Sequence, residues 1–174
     1  MPTFSGSWQD GRTWRHGKRK HCGAEAESGP AIDFAGLQQQ YPDIKAWLTI
    51  PGTVVDYPVL QSSAEDPEHY LRRNYDQEWR MAGSPFFQSD CTPQSRNLVI
   101  YGHNMNDGSM FGVLEEMMDA GFLQEHAALT LETPEGARNF KIVTAIKTDI
   151  NQTPFTRVEF SGDEDFLSFA DQLL

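Results

Sequence analysis

Cysteine is scarce in this chain of 174 residues: Cys22 and Cys91 are the two it has. Two cysteines so far apart exclude a disulfide framework of the kind that holds small secreted domains together. Basic residues are also in deficit, with 14 Lys and Arg against 25 Asp and Glu and a formal net charge of −11. That balance argues against nonspecific nucleic-acid binding, which needs Lys and Arg at the phosphates. No run of about 18 apolar residues occurs, so no stretch reads as a membrane-spanning helix. No apolar segment of a signal peptide is visible either. His16, His21 and Cys22 match no zinc spacing and lack a fourth partner. The acidic residues form no EF-hand loop. The sequence therefore implies no metal and no cofactor. It also contains no internal repeat and no sign of a second folded domain.

What is present suits one globular domain. Hydrophobic residues make up 39% and aromatic residues 11% of the chain, enough for a core at this length. Residues 1–30 are polar and Gly-rich, with a basic run RTWRHGKRKH at Arg12–His21. Their composition reads as a disordered tail rather than a binding patch. Folded sequence is expected from 31 to 174.

Within it, Asp33 is placed to cap a short helix carrying Phe34, Leu37 and Tyr41 on one face. Ala46–Ile50 and Val54–Leu60 read as strands joined by a Pro51-Gly52 turn. Pro58 marks the second as an edge strand or a bulge. Glu65–Tyr75 predicts a turn of helix presenting Tyr70 and Leu71, and Ser84–Gln88 a short strand. Asp90–Arg96 is a loop. Ser109 is placed to cap a helix with Met110, Val113, Leu114 and Met117 as its core stripe, and Gly121 to stop it. Leu129–Thr133 and Asn139–Lys147 read as a hairpin about Pro134-Glu135-Gly136. Ser161-Gly162-Asp163-Glu164 has capping-box spacing, ahead of a closing helix over Asp163–Leu174 with Phe166, Phe169, Ala170 and Leu173 on its apolar face. Short strands with a few inserted helices predict a mainly β fold, a small β-barrel with appended helices.

The stretch that carries chemistry is NLVIYGHNMNDGSMF, Asn97–Phe111. An apolar strand, Leu98–Tyr101, runs into Gly102, where a tight turn is expected, and into His103. A histidine at a strand end can exchange a proton near neutral pH as an acid or base. It can equally be structural.

YGHNMNDGSMF resembles the histidine segment of the class B sortases. WLTIPGTVVDYPVLQ at Trp47–Gln61, HYL at His69–Leu71, GSPFF at Gly83–Phe87 and AIKTD at Ala145–Asp149 resemble further segments of that family, in the family's order. The similarity runs from about Ile32 to the last residue. Sortases are cysteine transpeptidases that attach proteins to the bacterial cell wall. The resemblance implies a β-barrel with an N-terminal helix, a helix after the histidine motif and a late helix. It implies His103 as the active-site histidine, and Leu71 as a residue of the substrate groove unless it simply packs inward. It implies Phe155 as a weaker groove candidate, from the loop before the late helix. Asn104 and Asn106 are expected to shape the turn after His103. The implied partners are a sorting peptide of the Asn-Pro-x-Thr-x type and an amine of peptidoglycan or its lipid-linked precursor. The implied location is the outer face of the bacterial cytoplasmic membrane, where the family is normally tethered by an N-terminal helix.

The chemistry the resemblance implies is acyl transfer through a thioester, which divides one hard amide exchange into two easier steps. Its cysteine and arginine lie in family strands that follow the late helix. This chain has no counterpart for either: no cysteine follows His103, and Arg157 precedes the late helix. Cys91, 12 residues before His103, is a poor nucleophile candidate, because Asp90 beside it opposes thiolate formation. The expectation is therefore a sortase domain without its terminal catalytic strands. Such a chain is inactive alone, and marginal in solution because unpaired strand edges promote association. The alternatives are a non-catalytic module that binds sorting peptides, or an inactive fragment.

Overall fold

The computed structural model describes residues 32–149 and 155–173. The expected tail, with His16, His21 and Cys22, lies outside the described residues.

Asp33 opens the fold. Its carboxylate accepts a hydrogen bond from the Gly36 N–H at 3.0 Å and caps helix α1, Phe34–Gln40, satisfying one of the donors a helix leaves free at its start. Phe34 is its buried anchor. The chain then enters β1 (Ile44–Thr49), in which Ile44, Ala46 and Leu48 alternate inward, the two-residue period of a half-buried strand. Strand β2 (Asp56–Gln61) returns antiparallel to β1, and a bulge in β1 falls between Ile44 and Ala46.

The sheet is completed by β3 (Phe86–Phe87), β4 (Ile100–Tyr101), β5 (Ala128–Thr133) and β6 (Gly136–Lys141). The spatial order of the six is β4-β3-β2-β1-β5-β6, and the sheet curls into a half-barrel. Between β2 and β3 the pairing is parallel, with Leu60 opposite Phe86. A parallel pair needs a crossover. Residues 62–85 supply it and carry a 3₁₀ turn at His69–Leu71. Among the described residues two further α-helices occur, α2 (Ala120–Glu125) between β4 and β5, and α3 (Asp163–Asp171) after β6. The mainly β fold and its three helical additions agree with the expectation from sequence.

The core lies on the inner side of the sheet. Ala46, Leu48, Val55, Val59, Phe87, Val99 and Leu131 meet Val113 and Met117 there. Met117 is 2% exposed, so the expected stripe faces the core at Val113, Leu114 and Met117. Met110 does not join it, lying outside the core cluster with φ +51°, and the neighbouring Met118 faces solvent.

Local details differ from the sequence reading, each for a definable reason. Strand β2 is interior, not an edge. Pro58 is tolerated because β3 is two residues long and pairs only with Leu60 and Gln61. The Leu60 N–H points toward β3, donating to the Pro85 carbonyl at 3.0 Å. By strand alternation the Pro58 nitrogen points to the same side, beyond the reach of β3. Ser109 caps nothing: its hydroxyl and N–H both donate to the Asp107 carboxylate. The helix after it is a 3₁₀ segment, Gly112–Met118, without a side-chain cap. Gly121 does not stop that segment but sits inside α2, because Asp119 ends it and caps α2 through the Phe122 N–H at 2.9 Å. At α3 the capping box is not made. The Asp165 carboxylate instead accepts from the Ser161 N–H and hydroxyl and from Arg157. The apolar face of α3 is as expected, with Phe169 buried and Phe166, Ala170 and Leu173 half-buried.

Candidate active site

His103 stands two residues beyond β4. That strand is fixed by its pairing with β3, where Tyr101 lies opposite Phe86 and their ring centroids are 5.5 Å apart. Gly102 does not occupy the left-handed region, contrary to the expectation of a tight glycine turn. Its role is close approach. A Cβ there would lie 2.6 Å from the Phe111 ring, well inside van der Waals contact. Phe111 in turn donates its N–H to the His103 carbonyl at 2.9 Å. The segment after His103 is closed by an isolated bridge between Asn104 and Met110.

Side chains on two sides hold this loop. The Asn104 amide donates to Glu115 at 2.9 Å, and Lys147 donates to the same carboxylate oxygen at 3.2 Å. The Lys147 ammonium, followed by the Asn104 amide, holds Glu115 below the usual carboxylate range. On the other side, the Met110 N–H donates to the Tyr57 hydroxyl at 3.1 Å, and burial pushes that phenol up. Asn104 thus shapes the turn, as expected. Asp107, rather than Asn106, makes the hydrogen bonds at the turn's tip.

The imidazole of His103 reaches across to a different segment. Its Nε2 lies 2.7 Å from the Leu71 carbonyl oxygen. Leu71 ends the His69–Leu71 turn, which is well fastened. Tyr70 is 1% exposed, and its hydroxyl donates to Asp43 at 2.5 Å and accepts from Gln77 at 2.9 Å. Burial raises the Tyr70 phenol strongly, and the Asp43 carboxylate adds to the effect. The Tyr70 carbonyl accepts from the Ser84 N–H at 3.0 Å. Behind Leu71, Gly83 has φ +57°, and a Cβ there would lie 2.4 Å from the Leu71 oxygen. Only glycine fits that position without displacing the carbonyl. The segments HYL, GSPFF and YGH, separated in sequence, therefore meet at one place.

Leu71 itself is half-buried and outside the core cluster. Phe155 packs its ring against the core, and its backbone is tied to the sheet. Asn97 donates to the Phe155 and Arg157 carbonyls, both at 2.7 Å, and Gln88 donates to the Thr156 carbonyl at 2.8 Å. Tyr101 donates to Gln88 at 2.8 Å, which links this turn to the strand that leads to His103. Sequence reading did not single out Asn97, Gln88, Glu115 or Lys147. Their partners lie 11 to 68 residues away, and no local pattern marks them.

Cys91 is part of the core at 2% exposure, and its thiol contacts the Asn97 carbonyl at 3.7 Å. Burial raises its pKa, and the Asp90 carboxylate adds to that. Both effects disfavour the thiolate that a nucleophile requires. Among the described residues, no three His, Cys, Asp or Glu side chains gather as a metal site, and no helix is long and apolar enough to cross a membrane.

No family model matches the chain. Individual relatives do. Sortase B of Staphylococcus aureus is 30% identical over 141 residues, covering 80% of this chain and 57% of that protein. Sortase B of Listeria monocytogenes is 36% identical over 137 residues, covering 77% and 54%. Among solved structures, a Staphylococcus aureus sortase B–substrate complex matches with a TM-score of 0.73 at 29% identity, over 80% of this chain and 64% of that one. The chain spans a little over half the length of these curated relatives. Identity at this level over about four-fifths of the chain, joined to a TM-score of 0.73, makes the chain a homologue of sortase B with the sortase fold.

Proposed function

We propose that residues 31–174 belong to the catalytic domain of a class B sortase-type transpeptidase. In this reading the enzyme cleaves a surface protein at an Asn-Pro-x-Thr-x sorting signal through a cysteine thioester. It then passes the acyl group to an amine of peptidoglycan or its lipid-linked precursor, at the outer face of the cytoplasmic membrane. His103 is the acid/base: it protonates the leaving amine and deprotonates the incoming one. Leu71 and Phe155 line the peptide groove. The observation that carries the reading is the position of His103, in a sortase B homologue, at the end of a rigid strand with its ring aimed at the turn that presents Leu71.

The nucleophile in this reading is not Cys91. A thiol in the core, pushed away from ionisation by its burial, is neither accessible to a peptide nor charged near neutral pH. The same observation favours a second reading for the chain by itself, in which it binds the sorting peptide without cutting it. Incubation with a fluorescence-quenched Asn-Pro-x-Thr-x peptide tests both. Neither the chain nor its Cys91→Ala variant is expected to cleave, while both bind in a fluorescence-anisotropy titration. Cleavage by the parent and not by Cys91→Ala would make Cys91 the nucleophile and overturn this account. Absence of saturable binding would remove the groove reading.

A further inference from the structure

The contact between His103 and Leu71 decides more than ring placement. A main-chain carbonyl oxygen can only accept a hydrogen bond. The ring nitrogen 2.7 Å from it, Nε2, must therefore carry a hydrogen in both the neutral and the protonated imidazole. The acceptor cannot drift. Leu71 closes its turn by donating its own N–H to the Glu68 carbonyl at 2.9 Å, and the preceding Tyr70 carbonyl is held by the Ser84 N–H at 3.0 Å. Gly83, at φ +57°, backs directly onto the Leu71 oxygen, where a Cβ would stand 2.4 Å away.

We infer that the Leu71 main-chain carbonyl is the positioning group for His103. It keeps a proton on Nε2 and leaves Nδ1 as the atom that exchanges protons, and Gly83 is the residue that keeps this carbonyl within reach. The functional weight of the inference rests on the reading of His103 as the acid/base; the tautomer itself does not. In that reading, the imidazolium gives its Nδ1 proton to the departing amine nitrogen as the carbon–nitrogen bond breaks and its electron pair goes to nitrogen. The neutral ring that remains is the Nε2–H tautomer. In the second half-reaction the incoming amine attacks the thioester carbon, the carbon–sulfur bond breaks with its electron pair leaving on sulfur as thiolate, and the amine gives its proton to Nδ1. One ring nitrogen stays bonded to the protein throughout, so the imidazole need not rotate between the two steps. The arrangement also joins two roles in one residue: the Leu71 side chain stands at the candidate groove and its carbonyl holds the histidine.

The test is ¹⁵N nuclear magnetic resonance of the intact chain labelled at histidine, beside Gly83→Ala. The wild-type His103 is expected to show the Nε2–H tautomer almost exclusively. Its Nε2–H proton should exchange with water slowly enough to be observed at neutral pH, with a coupling across the hydrogen bond to the Leu71 carbonyl carbon. In Gly83→Ala the tautomers mix and that proton is lost to exchange. A wild-type ring that is Nδ1–H, or a mixture in rapid exchange with water, overturns the inference whether or not Gly83→Ala folds. A folded Gly83→Ala with an unchanged, protected Nε2–H overturns the role given to Gly83. Peptide titration of His103→Ala tests separately whether His103 borders the groove, because the tautomer spectrum involves no peptide.

Discussion

The side-chain amide of Asn97 donates to the carbonyl of Phe155, 58 residues further along the chain, at 2.7 Å. The same nitrogen donates to the Arg157 carbonyl at 2.7 Å. One residue at the start of the segment leading to His103 thus fastens the turn that carries a proposed wall of the groove. Asn97→Ala removes both bonds and leaves two carbonyls to find water. Each such bond contributes about 1 kcal/mol net, so the variant is expected to lose roughly 1–2 kcal/mol in urea unfolding. Faster hydrogen exchange should be concentrated in the segment after Phe155. Uniform loss of protection would contradict a local clip.

Tyr70 anchors the turn behind His103 through its hydroxyl on Asp43 at 2.5 Å. Tyr70→Phe keeps the buried ring and removes only the oxygen. Hydrogen bonds to a charged acceptor contribute about 1.5–3 kcal/mol, and a loss in that range is expected from denaturant unfolding. An unchanged midpoint would mean that the Asp43 contact contributes nothing.

Ser62 presents the opposite case. It is 3% exposed, and among the described residues its hydroxyl is the one buried side-chain polar atom without a partner. Burying an unpaired hydroxyl costs about 1–3 kcal/mol on protein scales. Ser62→Ala is therefore expected to be neutral or stabilising in thermal unfolding. A clear loss would show that the hydroxyl has a partner in solution.

Two groups set opposite pH dependences. The Arg157 guanidinium, 2.5 Å away, is the largest influence holding the Asp165 carboxyl down at about 2. Its folded value lies below the ordinary 3.8, so its contribution is full above that value and is lost as pH falls toward 2. The Gln77 side chain, and then Asp66, raise the pKa of His69 above the ordinary 6.5. Its contribution is therefore present below 6.5 and is lost as pH rises through the raised value. Thermal unfolding between pH 2 and 5 should fall less steeply for Asp165→Asn than for the parent. Between pH 6 and 8, His69→Gln should remove part of any decline. Parallel curves in either window would contradict the corresponding pairing.

Legibility in the sequence followed the range of each interaction. The Asp33 cap, the hairpin of β5 and β6, the apolar face of α3 and the strand leading to His103 all depend on residues within a few positions of one another, and their patterns were readable, although β6 runs Gly136–Lys141 rather than the expected Asn139–Lys147. Gly112–Met118 has a helical stripe, yet whether it forms an α or a 3₁₀ segment depends on where Phe111 and Met117 are drawn by the core. Ser109 has the right chemistry for a cap, but Asp107 competes for it at closer range. The parallel pairing of β2 with β3 and the meeting of Leu71, Gly83 and His103 depend on a crossover whose path no local pattern encodes. His103 was legible as a candidate from its motif. The carbonyl that holds it was not, because a main-chain acceptor leaves no trace in residue type.

In the proposed reading His103, Leu71 and Phe155 border one groove for a sorting peptide. Backbone amide shifts of the ¹⁵N-labelled chain, followed during titration with an Asn-Pro-x-Thr-x peptide, test it most directly. Saturable shifts are expected at Leu71, at Gly102 through Asn104 and around Phe155, with little change in β6. Saturable shifts confined to another face, or no shifts at high peptide concentration, would contradict it.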